Sequence, residues 1–174
     1  HPELSYEEVE TTKRLRAVLN EAGIKILDLP LKTGLVAEIG AGKPVVALRT
    51  DIDGLPVHEK TGLPYASEEE GKMHDFHMSM AVGAAFLLKE REAEIDGAVR
   101  IVFQPAEEAP GGALDVMKTG ILDDVRAIFG LHVVPFVKEG TLGIKEGAVT
   151  ASVDRFEIAF HGRGTHAAEP ERGL

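Results

Sequence analysis

"PVVALRTDID", residues 44–53, decides how this chain folds. Its first half is a continuous apolar run, as expected of a strand buried on both faces of a sheet. Its second half turns polar and acidic, with Arg49, Asp51 and Asp53. The pattern recurs downstream. "AVRIVF" (98–103) runs into "QPAEE", and "AIFGL" (127–131) runs into His132; both apolar runs read as buried strands. Between the first two runs, residues 78–95 have the length and the Ala and Leu content of a helix. "GGALDVMKTG" (111–120) reads as a short helix between glycines. Strand, helix, strand, helix, strand implies right-handed crossovers and a mostly parallel sheet with flanking helices, an α/β fold.

Working outward, Ser5 and Glu8 have the S-x-x-E spacing of a capping box, with Leu4 and Val9 at the staple positions. Val9, Leu15, Val18, Leu19 and Ala22 form one apolar stripe, and Gly23 supplies the stop. "IKILDL" (24–29) and "GLVAEI" (34–39) read as short strands of a hairpin. From Ser152 the texture changes. "VDRFEIAFHG" (153–162) alternates, with Phe156, Ile158 and Phe160 on one face, as in an antiparallel strand with one wet face. This places a domain boundary near 150–152, so that 1–151 belongs to one domain and 152–174 begins a second.

Composition narrows the function. A chain of 174 residues has room for a self-sufficient core. Its net charge of −10 argues against nucleic acid and anionic membranes as partners, because phosphate binding wants a basic surface. No cysteine is present, which excludes disulfides and thiolate metal sites. No apolar run reaches the roughly 18 residues that span a bilayer. No stretch reads as a secretory signal, and the cytoplasm is the expected compartment.

In open parallel sheets, ligands bind at the carboxyl ends of the strands. Three strand ends here deliver Asp51, Asp53, Glu107, Glu108 and His132 toward one rim, with His74 and His77 in the connection between two of the strands. Asp, Glu and His together suit a divalent transition metal. In the pair Glu107-Glu108, one carboxylate can bind metal while the other faces a bound water, the arrangement of a hydrolytic nucleophile with its base. Each piece alone has a plainer meaning. Two adjacent glutamates in a loop are ordinarily a solvated charge pair, a His after a strand is ordinarily hydrogen-bonded structure, and Asp75 in "HDFH" could cap a helix. Their common placement at strand ends carries the signal.

"HPELSYEE" (1–8), "ALRTDIDGLP" (47–56), "GKMH" with "DFH" (71–77), "FQPAEE" (103–108), "GLH" (130–132) and "ASVDRFEIAFHGRGTHAAEP" (151–170) stand in an informative order. In order and spacing they resemble the metal-dependent amidohydrolases of the aminoacylase, hippurate hydrolase and auxin-conjugate hydrolase type, most nearly the bacterial N-acyl-amino-acid amidohydrolases. The resemblance implies a zinc-exopeptidase-like catalytic domain with two divalent metal ions, whether Mn, Zn, Co or Ni. It also implies a smaller inserted α/β domain that dimerises. The implied reaction is hydrolysis of the amide joining an acyl group to an amino acid. By motif position Glu107 would be the general base, Glu108 and His132 metal ligands, and Asp51 a supporting residue. His166 would stabilise the oxyanion, often in the partner subunit's site. A homodimer or higher homo-oligomer is the implied assembly, with a small N-acyl amino acid as substrate.

The resemblance departs from the family at one place that matters. The family usually reads "MHACGHD", where the Cys and the following His are metal ligands; this chain reads "MHD" at 73–75. Removing "ACGH" or "HACG" leaves the same string, so His74 stands either for a ligand or for the His before it. The Cys has no counterpart, and Asp75 is the carboxylate that could substitute. Either the intervening residues are missing from this sequence, which the intact Glu107-Glu108 and His132 favour, or the protein lacks them, and a non-catalytic relative that kept the fold as a binding or dimerising protein is then the competing reading. Smaller departures are "DGLP" for the usual "DALP", "GTH" for "GGH", and Glu171 where a His often follows the Pro.

Overall fold

The computed structural model describes residues 1–74, 76–152, 154, 156–159 and 161–173. Among them, five strands form one sheet: β1 (Lys25–Ile26), β2 (Leu35–Ala41), β3 (Val45–Asp51), β4 (Gly97–Gln104) and β5 (Val125–Gly130). Their order is β1-β2-β4-β3-β5. β3 runs parallel to both neighbours, β4 and β5, while β2 is antiparallel to β4 and to β1. The helices are α1 (Val9–Glu21), α2 (His77–Glu90) and α3 (Gly112–Lys118).

Side-chain alternation along the strands assigns the helices to faces. Leu35, Ala37, Ile39, Ile101 and Phe103 pack with Leu15 and Leu19 of α1 and Ala81 and Ala85 of α2. Val36, Ala47 and Val102 point the other way and pack with Val116 of α3. The chain leaves β3 through α2 to reach β4 on one side. It leaves β4 through α3 to reach β5 on the other side. The connections diverge around the carboxyl end of β3, where an open α/β sheet leaves a crevice.

Three local expectations are corrected. Ser5 and Glu8 do not form a capping box. The Ser5 hydroxyl donates to Asp53 Oδ2 at 2.6 Å, and Glu8 Oε1 accepts from the Ala106 amide at 2.7 Å. The first free amides of α1 go instead to Glu3, whose carboxylate accepts from Glu10 and Thr11 at 3.2 and 2.7 Å. Val9, placed in the buried stripe, is 54% exposed, whereas Leu15 and Leu19 are buried. The third correction concerns β5. Its apolar run resembles a central strand, but it lies at the sheet edge, and Phe129 is 60% exposed.

The chain divides into two compact units, His1–Val134 and Pro135–Leu174. The division precedes the change in texture near 150–152, because the described residues from 135 to 150 are exposed and in no helix or strand. Within the second unit, the described residues contain one short 3-10 turn, Pro170–Arg172, beside which the Arg163 amide donates to the Gly173 carbonyl at 2.9 Å. Of the strand expected over 153–162, Val153, Arg155 and Phe160 lie outside the described residues, and the others are in no strand.

Candidate active site at the carboxyl ends of the central strands

β3 ends in Asp51, and two residues on is Asp53; both are buried. Asp53 grips the loop that follows β4. Its Oδ1 accepts from the Glu107 amide at 3.0 Å and its Oδ2 from the Glu108 amide at 3.1 Å. One carboxylate thus fixes two consecutive peptide units, while the side chains of Glu107 and Glu108 remain exposed. The backbone enters this pair through Ala106, a non-glycine residue at φ 46°. Such conformations cost energy and persist where surrounding contacts enforce them.

Charge is unbalanced here. Partial loss of water, then the neighbouring charges of Glu107, Asp53 and Asp51, push the Glu108 carboxyl above its ordinary range. Arg49 offsets part of this. Its Nε donates to Gln104 Oε1 at 2.9 Å, and its terminal nitrogens lie 3.6 Å from Asp51 and 3.7 Å from Glu107.

His77, the first residue of α2, joins two strand ends. Its Nε2 accepts from the Val133 amide at 2.9 Å, so the proton sits on Nδ1, which donates to Asp51 Oδ1 at 2.9 Å. The His132 ring stands edge-on to that of His77, centroids 4.6 Å apart. His132 Nδ1 donates to the Val133 carbonyl at 2.7 Å, which leaves its Nε2 as the lone-pair nitrogen, the tautomer a metal ligand needs.

Glu107, Glu108, Asp51 and His132 are thus brought to one rim by Asp53, Arg49 and His77. His74 is half-buried just after Met73, which bridges to Leu55. Asp75 lies outside the described residues. His166 belongs to the second unit, where its Nδ1 accepts from the Ala168 amide at 3.2 Å. In kind, these oxygen and nitrogen donors suit a divalent ion. In number they fall short: among the described residues, no three His, Asp or Glu side chains converge closely enough to hold a metal.

Sequence reasoning placed Asp53 and His77 near the rim but gave neither a role. The available signal was their burial-prone setting, an acid two residues past another at a strand end and a His opening an apolar helix. Glu8 carried no such signal, because its spacing from Ser5 already had a local explanation.

Comparison with known proteins follows this geometry. Peptidase family M20/M25/M40 matches residues 47–172. N-acetylcysteine deacetylase of Bacillus subtilis is 52% identical over 181 aligned positions, covering all of this chain and 48% of that protein. IAA-amino acid hydrolase ILR1-like 5 of Arabidopsis thaliana is 43% identical, covering 98% of this chain and 40% of that protein. A Bacillus subtilis crystal structure, described as a dinuclear metal binding peptidase from the M20 family, superposes with a TM-score of 0.80 at 52% identity. It covers 84% of this chain and 43% of that one. The chain spans about half the length of the curated relatives it matches.

Proposed function

Because the chain belongs to peptidase family M20/M25/M40, we propose that the protein is a metal-dependent amidohydrolase that releases an amino acid from its N-acyl conjugate. The observation that carries this reading is the grip of Asp53 on the amides of Glu107 and Glu108, which presents two carboxylates side by side at the end of β4. The relatives, an N-acetylcysteine deacetylase and an IAA-amino acid hydrolase, support the substrate class.

In this reading Glu107 takes the proton of the attacking water and passes it to the leaving amine. Glu108, His132 and His74 are metal ligands, with Asp51 and Asp75 in support. Two divalent ions, when bound, would acidify water and polarise the acyl oxygen. Asp51 acts through His77 to hold the His132 segment. His166 serves the oxyanion, and residues 152–174 open a domain through which two copies associate.

The test is turnover of N-acetyl amino acids by the purified protein, with bound metal counted in parallel. Glu107→Gln should lower kcat by at least about 100-fold and leave metal content unchanged, since it removes the base and spares the ligands. Retained turnover would overturn the assignment. His132→Ala should lower metal content instead.

A second reading, a binding or dimerising relative without catalysis, is favoured by one observation: among the described residues no three ligand side chains converge. A wild-type protein with neither bound metal nor turnover would establish it.

A further inference from the structure

We infer that Glu8 is a positioning residue for the acidic loop, so that the N-terminal segment braces Glu107 as well as starting α1. The inference rests on the proposed role of Glu107.

Glu8 is fully buried, which is costly for a carboxylate unless its partners require it. Its Oε1 holds the amide of Ala106, the left-handed residue directly before Glu107. Its second oxygen is equally buried and has no hydrogen-bond partner among the described residues. A helix that needed only an acidic first turn would leave this side chain in water.

The surrounding segment acts on the same loop. Ser5 donates to Asp53, the residue that grips the amides of Glu107 and Glu108. Tyr6, itself a non-glycine residue at φ 67°, donates its hydroxyl to the Pro110 carbonyl at 3.0 Å. Glu8 in turn is anchored through its carbonyl, which accepts from the Thr12 amide and hydroxyl at 3.0 and 2.6 Å. The same Thr12 hydroxyl accepts from the Gly34 amide at 2.8 Å, which ties the brace to the start of β2.

The opposite side of the loop is closed by α3. A Cβ on Gly112 would lie 1.8 Å from the Pro105 carbonyl oxygen and 2.7 Å from that of Ala106. Held between these walls, the loop leaves the two glutamate side chains as its exposed part. Glu8 touches no reacting atom in this arrangement. It acts through the backbone of Ala106.

The test compares Glu8→Ala with Glu8→Gln, which keeps an oxygen for the Ala106 amide. Two readouts are taken on the purified protein: steady-state kinetics with N-acetyl amino acids, and amide hydrogen exchange. Glu8→Ala should lower kcat by about 100-fold while KM and bound metal stay within about threefold, the signature of a misplaced group rather than lost binding. Glu8→Gln should recover to within about tenfold of wild type. Exchange in Glu8→Ala should accelerate at Ala106, Glu107 and Glu108 and stay slow in β2 and β4. Unchanged kcat, or acceleration spread evenly over the core, would overturn the inference. If Glu8→Ala does not fold, Ser5→Ala is read in the same way at Glu107 and Glu108. A wild-type protein without turnover would sink the amidohydrolase reading, and the exchange data would then judge separately whether Glu8 holds the loop.

Discussion

Gly54 shows how much one missing methyl group can decide. It follows Asp53 and lies where the N-terminal segment and the Met73 segment approach the same strand end. Its amide donates to the Glu3 carbonyl at 2.7 Å. A Cβ there would meet the Met73 carbonyl oxygen at 2.7 Å and Pro2 Cβ at 2.9 Å. An alanine here, as in the "DALP" usual in the resembled family, would require these neighbours to shift. Gly54→Ala should destabilise the protein by about 1–3 kcal/mol, the ordinary cost of overpacking against backbone. Urea unfolding reads it as a lower midpoint at unchanged slope. A midpoint equal to wild type would show that the two segments part without cost. Ser5 and Glu8 teach a related lesson. Their spacing matches a capping box, and that local match hid two partners that lie 48 and 98 residues away in sequence. A pattern over four residues cannot reveal such a competitor.

At the scale of elements, the hairpin is fastened to the central sheet by a row of charges. Lys25, Glu38 and Arg100 are direct cross-strand partners on β1, β2 and β4. Glu38 accepts from Lys25 at 2.9 Å and from Arg100 at 3.1 Å. Burial alone would raise the Glu38 carboxyl, but hydrogen bonds from the two cations outweigh it and hold the group below its ordinary value of 4.5. A lowered folded-state value adds stability that is present above 4.5 and is lost as pH falls through the lower, folded value. With Glu38 only 14% exposed, Glu38→Gln should cost about 1–2 kcal/mol at pH 7. The gap from wild type should narrow when the pH is taken from 7 to below 4.5. Urea midpoints at the two pH values check this, and a gap independent of pH would reject it. The apolar runs of β3 and β4 were legible because both faces of those strands are covered, by α1 and α2 on one side and α3 on the other. β5 was misjudged from the same signal, because an apolar run states only what a strand could bury. Whether it is flanked depends on strand order, which no local pattern encodes. The rim was legible for a physical reason: strand ends converge whatever the order of the strands. The clamps that hold it, Asp53, His77 and Glu8, act through backbone amides, and those leave no mark on residue type.

For the molecule as a whole, the question is whether a cation completes the rim. Asp51, Asp53, Glu107 and Glu108 crowd one strand end, and the Arg49 guanidinium stands 3.6–3.7 Å from two of them. An ion that binds only the folded protein stabilises it by mass action, by about 2.7 kcal/mol at 100 times its Kd. For a domain of this size that corresponds to a rise in Tm of roughly 5–10 °C. Thermal melts with Mn, Zn, Co or Ni added to metal-stripped protein should therefore show a saturable rise for one or more of them. Glu108→Ala and His132→Ala should flatten the curve, because each removes a proposed ligand. Glu107→Gln should leave it intact, because the base is not needed to hold the ion. Melts that stay fixed for every metal would mean that this rim holds none of these ions. The acidic rim would then be an inherited scaffold, the grip of Asp53 and Glu8 on its loop would serve structure alone, and the amidohydrolase assignment would give way to the binding one.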